Sequence, residues 1–263
     1  MSKIAIIDAD SLLYFEMGKD TLEEAIEGID NRIQEILEKT ESDSYVGYLT
    51  IGKCFRYEVA KSKPYKYNRP GGLKPPIFYA LKTYLQQNPH NFKYVKGLEA
   101  DDMVSIARTY FIEQGHECVI SSPDKDVLKQ IPGKHYNYQK AEFYETSKKE
   151  ADAFLWKQVL MGDSTDGIPG IPGLGPKTAD KLIDSSDDKN YLHITVDKYL
   201  EKFELQQGIY KFGETFNLVY IIRSLGEIPD PYKIPEQEYE HVFNLNVIED
   251  ARIDSEADDW DFV

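Results

Sequence analysis

Four short runs dense in apolar, aromatic and β-branched residues mark the first half of the chain: "KIAIID" (3–8), "SYVGYLT" (44–50), "FKYVKG" (92–97) and "ECVISS" (117–122). Each gives way to a turn or to apolar residues at helical spacing, which predicts a largely parallel sheet flanked by helices. Between the first two runs, Thr21 and Glu24 have the spacing of a capping box, and Leu22, Ile26, Ile29, Ile33 and Ile36 follow on one helical face. A second helix is expected from near Glu99, with Met103, Ile106, Tyr110 and Phe111 on its apolar face. A third begins at Ser147, where Ser147 and Glu150 repeat the box, and carries Phe154, Leu155, Val159 and Leu160. Beyond Gly175 the segments Thr178 to Ile183, Tyr191 to Leu205 and Gly208 to Leu225 read as helical, with no strand among them. The expected organisation is an α/β body over 1–165, a helical region over 166–235 and an acidic tail over 236–263.

At 263 residues the chain is long enough to bury a full core. No apolar run approaches the length of a bilayer span, and the opening "MSKIAIIDADSLLY" is strand-like and carries carboxylates, unlike a signal peptide. A cytoplasmic protein with no membrane partner is expected. Cys54 and Cys118 lie far apart in sequence, which disfavours a disulfide framework or a zinc site. The net charge of −15 argues against a nucleic-acid partner until its distribution is considered. From Glu236 onward there are ten acids and one base, Arg252, so that segment supplies −9 and the remainder only −6. Arg56, Lys61, Lys63, Lys66, Arg69, Lys74 and Lys82 form the densest basic stretch, a local positive patch on an acidic chain.

In open α/β sheets functional groups gather where strands end and loops lead into helices. Here Asp8 and Asp10 follow the first run, Glu99, Asp101 and Asp102 the third, and Asp124 and Asp126 the fourth, while Asp163 and Asp166 close the helix after Ser147. Any one of them alone reads as an N-cap or a solvated loop residue. Brought together without cations they would repel and raise one another's pKa values, so the set points to hard divalent ions, Mg²⁺ or Mn²⁺, held by oxygen ligands. A pair of such ions about 3.5 to 4 Å apart activates water and stabilises the leaving oxygen in phosphodiester cleavage. The stretch "KPYKYNRP" adds Lys66 and Arg69 as cations for phosphate oxygens, and Tyr65 and Tyr67 as rings on which a base could stack.

The stretch "GDSTDGIPGIPGLGPKTADKLI" (162–183) echoes a phosphate-binding P-loop, but Pro176 separates Gly175 from Lys177 and no strand precedes the glycines. Two readings remain. One is a helix-turn-helix punctuated by Gly and Pro; the other is a hairpin whose glycines let a DNA phosphate approach a helix N-terminus, with Lys177 adding charge. Such a contact holds the backbone and reads no sequence.

In this order and spacing, "GLEADD", "SSPDKD" and the 162–183 stretch resemble the 5′ nuclease superfamily: bacteriophage 5′ to 3′ exonucleases, flap endonucleases and the 5′-nuclease domain of bacterial DNA polymerase I. The resemblance covers residues 3 to 225. It implies a PIN-like α/β fold with a mostly parallel central sheet, and a helix-hairpin-helix module that grips duplex DNA, with K⁺ at the hairpin. It also implies Asp8, Glu99, Asp101, Asp102, Asp124, Asp126, Asp163 and Asp166 as ligands of two metal ions. Lys66 and Arg69 match the catalytic cations, and Gly170, Gly173, Gly175, Lys177 and Thr178 match the DNA-binding hairpin, with Tyr65 beside them as a DNA contact. The implied activity is metal-dependent cleavage of DNA at 5′ ends, flaps or single-strand/duplex junctions, in replication, recombination or repair, in a bacterial or phage setting.

The chain departs from that pattern in three places. Leu49 and Thr50 stand where the family ends its second strand with an aspartate, for which Asp10 is a candidate substitute; Phe15 replaces an arginine. The segment Lys66 to Phe78 is short and broken by Gly and Pro where relatives carry a helical arch, which leaves exonuclease and flap endonuclease both open. A catalytically silent DNA-structure-binding protein and a PIN-type ribonuclease are the alternatives; filled metal positions oppose the first and the hairpin opposes the second. The acidic tail reads as a solvating segment, or as a contact for a replication partner or for the chain's own basic patch.

Overall fold

All but the first residue of Lys3–Asp8 (β1) are fully buried, because helices cover both faces of the strand. Ile4 and Ile6 point into one layer and Ala5 and Ile7 into the other. The computed structural model describes residues 2–69, 72–87 and 89–248. After β1 come α1 (Ala9–Glu16), α2 (Leu22–Thr40), β2 (Ser44–Tyr48), α3 (Arg56–Val59), α4 (Pro76–Gln86) and α5 (Ala100–Glu113). Then follow β3 (Glu117–Ser121), α6 (Lys125–Gln130), β4 (Gly133–Asn137), β5 (Glu142–Thr146) and α7 (Lys148–Met161). A two-residue ladder, β6 (Gly162–Asp163) with β7 (Ile168–Pro169), leads into α8 (Pro176–Asp184), α9 (Tyr191–Lys202) and α10 (Leu205–Val219). Helix α11 (Tyr239–Val242) and β8 (Asn246–Val247) close the described chain.

The main sheet has the order β5-β4-β3-β1-β2-β8. The four central strands are parallel, while β5 and β8 run antiparallel at the edges. The chain passes from β1 to β2 on one side and later to β3 on the other. The crevice between β1 and β3 is therefore the topological switch point where such sheets place their sites. One layer packs α1, α2 and α4 against Ala5 and Ile7 through Leu12, Leu13, Ile29, Ile33, Leu81 and Leu85. The other packs α5 against Ile4 and Ile6. A third cluster, with Val159, Leu160, Ile171, Ala179, Ile183, Tyr199 and Leu218, packs α8 to α10 together with α7, a helix that the expected boundary at 165 assigns to the α/β body. Among the described residues no helix is long and apolar enough to cross a membrane.

The capping boxes at Thr21/Glu24 and Ser147/Glu150 form as expected. The run 92–97 is not a strand. It touches the sheet through one parallel bridge, Tyr48 to Lys93, because Phe92 is drawn down onto Gly47, where an added Cβ would lie 2.4 Å from its ring, and Gly97 turns the chain at φ 87. The fourth parallel strand is instead β4, in a hairpin with β5. The helical region also ends earlier than 235: Ile221, Ile222, Ile228 and Ile234 return to the core beside α5.

The boundary at 236 needs a larger correction, since 236–248 is packed structure. Val242 and Phe243 are buried, the Phe243 ring stacks on Tyr110 at 3.9 Å and 16°, and β8 pairs with β2. Residues 249–263, which carry the rest of the acidic tail and any partner contact it makes, lie outside the described residues. Removing a buried aromatic ring costs about 3–5 kcal/mol. Phe243→Ala is expected to lower unfolding stability by about that much in urea titration; a change near zero would mean that the 236–248 segment contributes nothing to the core.

Candidate active site

Ten of the charged side chains singled out from sequence line a single cleft over the β1/β3 switch point: Asp8, Asp10, Lys66, Arg69, Glu99, Asp101, Asp124, Asp126, Asp163 and Asp166. Asp8 sits at the end of β1, where Ser11 and Ser122 hydroxyls donate to its Oδ2, each at 2.8 Å. Asp124 caps α6 by accepting the Asp126 N–H at 2.6 Å, and this turn brings Asp126 to the Gln158 amide at 2.8 Å. Glu99 caps α5, so Asp101 falls in that helix's first turn, where the helix dipole favours negative charge.

The stretch Tyr65 to Arg69 is fastened to the loop between β6 and β7. The Lys66 N–H donates to the Asp166 carbonyl at 2.9 Å, Tyr67 lies against Gly167, and the Asn68 amide reaches the Ser164 carbonyl at 2.5 Å. The Lys66 ammonium donates to Glu99 Oε1 and the Arg69 guanidinium to Asp166 Oδ1. Lys66 itself has φ 57, in the left-handed region that a residue with a side chain rarely occupies, which is the kind of local strain that functional loops retain.

The acids divide by their surroundings. Burial opposes ionisation of Glu99, but the charges of Arg56 and Lys66 overcome it and hold its carboxyl down at about 2. Asp8 is pushed up to about 7 by burial and by Asp10, and Asp126 to about 7 by burial and by Asp124. Burial raises Asp10 as well, and burial with Asp102 and Glu99 raises Asp101. Neither His nor Cys lines the cleft, so its side-chain acceptors for a cation are oxygens. That donor set of carboxylate oxygens suits a divalent cation. Among the described residues no three of these acids already converge as a closed shell for one ion. Lys66 and Arg69 hold Glu99 and Asp166 to the cleft wall instead.

Three expectations fail here. Asp102 is not in the cleft: it is fully buried and receives both guanidinium nitrogens of Arg56 at 2.7 Å, with the Ile222 N–H at 3.1 Å. Arg56, counted from sequence in the surface basic patch, is 2% exposed. Tyr65, 6% exposed, gives its hydroxyl to Glu99 at 2.9 Å and cannot offer a stacking face, whereas Tyr67 is 53% exposed with Lys63 over its ring. Asp10, by contrast, does reach the end of the second strand: its Oδ1 accepts the Thr50 N–H at 3.0 Å, and Lys82 donates to the Thr50 carbonyl. Sequence reasoning missed the part played by Ser11, Ser122 and Gln158, whose polar side chains carry no spacing signal.

None of Gly170, Gly173, Gly175, Lys177 and Thr178 lines the cleft. A Cβ on Gly170 would lie 2.0 Å from the Met161 backbone, so that glycine lets the hairpin close on the end of α7. Gly173, at φ 85, and Gly175 face open space; at the start of α8 Pro176 has no N–H and the Thr178 and Ala179 N–H groups donate to the Gly175 carbonyl, so the Lys177 N–H is the one left toward solvent, beside the exposed Lys177 and Thr178 side chains.

No family model matches the chain. Among curated proteins it is 30% identical to a 5′-3′ exonuclease of Bacillus subtilis over 195 residues, which cover 67% of this chain and 62% of that protein. This likeness supports the 5′ nuclease superfamily for the chain. It is 27% identical over 237 residues to the flap endonuclease Xni of Shewanella halifaxensis, covering 84% of this chain and 93% of that one. Against a DNA polymerase I of Caldicellulosiruptor bescii it is 26% identical over 74% of its length, yet spans only 26% of that relative. The fold is that of the T5 D15 protein co-crystallized with metal ions, at a TM-score of 0.65 and 17% identity over 84% of this chain and 89% of that one.

A carboxyl whose folded pKa lies above its ordinary value binds its proton more tightly folded than unfolded, so its stability contribution is lost as pH rises. With Asp8 and Asp126 near 7 against an ordinary 3.8, the metal-free protein is expected to lose stability as pH rises from about 4 to about 7. Saturating Mg²⁺ is expected to flatten that loss, because the ion takes the place of the protons. Denaturant midpoints across this range, with and without Mg²⁺, check it; a metal-free midpoint that rises with pH would contradict the electrostatics of the cleft.

Proposed function

We propose that this protein is a divalent-metal-dependent 5′ nuclease that hydrolyses DNA phosphodiesters at 5′ ends and 5′ flaps, with Mg²⁺ or Mn²⁺ as its ion. The observation that carries this is the confinement of seven of the eight sequence-identified acids, with Lys66 and Arg69, to one cleft at the switch point of the sheet. Asp8, Asp101, Asp124, Asp126 and Asp163 would hold the cations, with Asp10 completing the set beside Thr50. When bound, a pair of such ions supplies an ionised water at neutral pH and neutralises charge on the leaving oxygen.

The chain's own cations act on the phosphate. Lys66 and Arg69 already stand at the cleft wall, and their carboxylate partners keep them charged and oriented before substrate arrives. An entering phosphodiester exchanges Glu99 and Asp166 for its own non-bridging oxygens on these two side chains, placing fixed positive charge where negative charge develops. Tyr65 keeps Lys66 in place through its bonds to Glu99 and Asp166. The hairpin from Ile168 to Thr178, with K⁺ bound, would hold duplex backbone through exposed amides and Lys177 while the cleft takes the strand to be cut. Pol I-like and phage relatives suit a role in replication, recombination or repair, and a soluble site of action in the cytoplasm.

The test is a denaturing gel of a 5′-labelled flap duplex incubated with Mg²⁺, beside EDTA and Lys66→Ala. Labelled product is expected with Mg²⁺ only, and Lys66→Ala is expected to slow its formation roughly 10²-fold or more. Labelled mononucleotide would mark exonuclease action, and a fragment of flap length would mark junction cutting. Tight binding without any Mg²⁺-dependent product would overturn the proposal in favour of a silent DNA-binding protein.

A further inference from the structure

Glu214, on α10 and 8% exposed, takes no part in the cleft, and its partners are hydrogen-bond donors in place of a cation. Its Oε1 accepts the backbone N–H groups of Lys61 at 2.5 Å and Ser62 at 2.6 Å, and its Oε2 accepts the Ser62 hydroxyl. Burying a carboxylate is costly unless its oxygens are satisfied, and two successive backbone donors on one oxygen fix the chain direction at that point. The neighbouring Thr215 hydroxyl donates to the Pro169 carbonyl at 3.1 Å. At the other end of the same segment, Arg56 donates to the Leu218 and Tyr220 carbonyls. Residues 56–62 are thus clamped to the last helix of the helical region at both ends. Four residues beyond Ser62 stands Lys66, in its strained left-handed conformation, held from the far side by the Asp166 carbonyl.

We propose that Glu214 is a positioning residue: it registers the loop carrying Lys66 and Arg69 to the helical region, so that duplex held there meets those cations at one phosphodiester. This rests on the nuclease function proposed above. Glu214→Ala removes the anchor. Glu214→Gln keeps an oxygen for both N–H groups and an amide beside the Ser62 hydroxyl, and serves as the conservative rescue.

The test combines single-turnover cleavage of the flap duplex with amide hydrogen exchange of residues 61–69. Glu214→Ala is expected to cut about tenfold more slowly or worse, at more than one neighbouring phosphodiester, with duplex affinity held within about threefold. Glu214→Gln is expected to recover most of the rate and the single cut position. The double variant of Glu214→Ala with Lys66→Ala is expected to be slower than Lys66→Ala alone by clearly less than the factor that Glu214→Ala costs the parent, because Lys66 is one of the two cations that Glu214 positions. Exchange across 61–69 is expected to quicken in Glu214→Ala. Rate losses that multiply in the double variant, or a loop as protected in Glu214→Ala as in the parent, would overturn the proposal. A parent protein that cuts no DNA would refute the nuclease function itself, and the exchange comparison would still decide whether Glu214 anchors the loop.

Discussion

The buried pair of Arg56 and Asp102 is the interaction on which the rest of the molecule depends. Arg56 places all three guanidinium nitrogens on acceptors from segments far apart in sequence: Asp102 and Glu99 at the start of α5, and the carbonyls of Leu218 and Tyr220 at the end of α10. Asp102 in turn accepts the N–H groups of Ile222 and Glu99. Taking two charges out of water costs several kcal/mol per ion, and their attraction repays it only when every donor and acceptor is satisfied. Here they are, so the pair specifies one docking of the helical region against the sheet. Gln130 reinforces the same junction through the Val219 carbonyl and the Ile221 N–H.

That docking decides what the acids of the cleft can do. Glu99 shares Arg56 with Asp102 and is drawn into the structural network, which holds it ionised and tied to Lys66. At Asp10, Asp101 and Asp126 the nearby cations Lys82, Arg56, Lys66 and Lys125 do not outweigh burial and neighbouring acids, and at Asp8 no cation among the described residues opposes them, so all four carboxyls stay raised. A cluster in this condition gains more from a divalent cation than a fully paired one does, since the ion removes repulsion as well as adding attraction. The acidity of the chain as a whole therefore does not conflict with a DNA substrate. Much of it sits in the closing segment and in a cleft built for cations, while Lys66 and Arg69 face the same cleft.

Much of this was legible in the sequence because parallel sheets bring strand ends together, and carboxylates after β1 and β3 had one place to go. Asp101 and Asp102 show where legibility stopped. Adjacent residues on a helix point about 100° apart, so both could not face one cleft, yet the partner that claims Asp102 lies 46 positions away in a stretch that reads as surface charge. Tyr65 and Tyr67 were indistinguishable by composition and are separated by a loop whose path Asp166 sets. The 92–97 run has the residues of a strand, yet Phe92 packs on Gly47 and leaves it a single bridge to the sheet, while β4 and the edge strand β5 hid behind His, Lys, Tyr and Glu. Acid counting concealed Val242 and Phe243, two apolar residues among many charges.

The central claim is that cations enter between the incompletely compensated acids and not at the paired ones. Anomalous diffraction from crystals soaked in Mn²⁺ tests it most directly. The account predicts anomalous density bounded by Asp8, Asp101, Asp124, Asp126 and Asp163, with Asp102 still on Arg56. An ion in contact with Asp102, or a cleft without Mn²⁺ at saturating concentration, would contradict it.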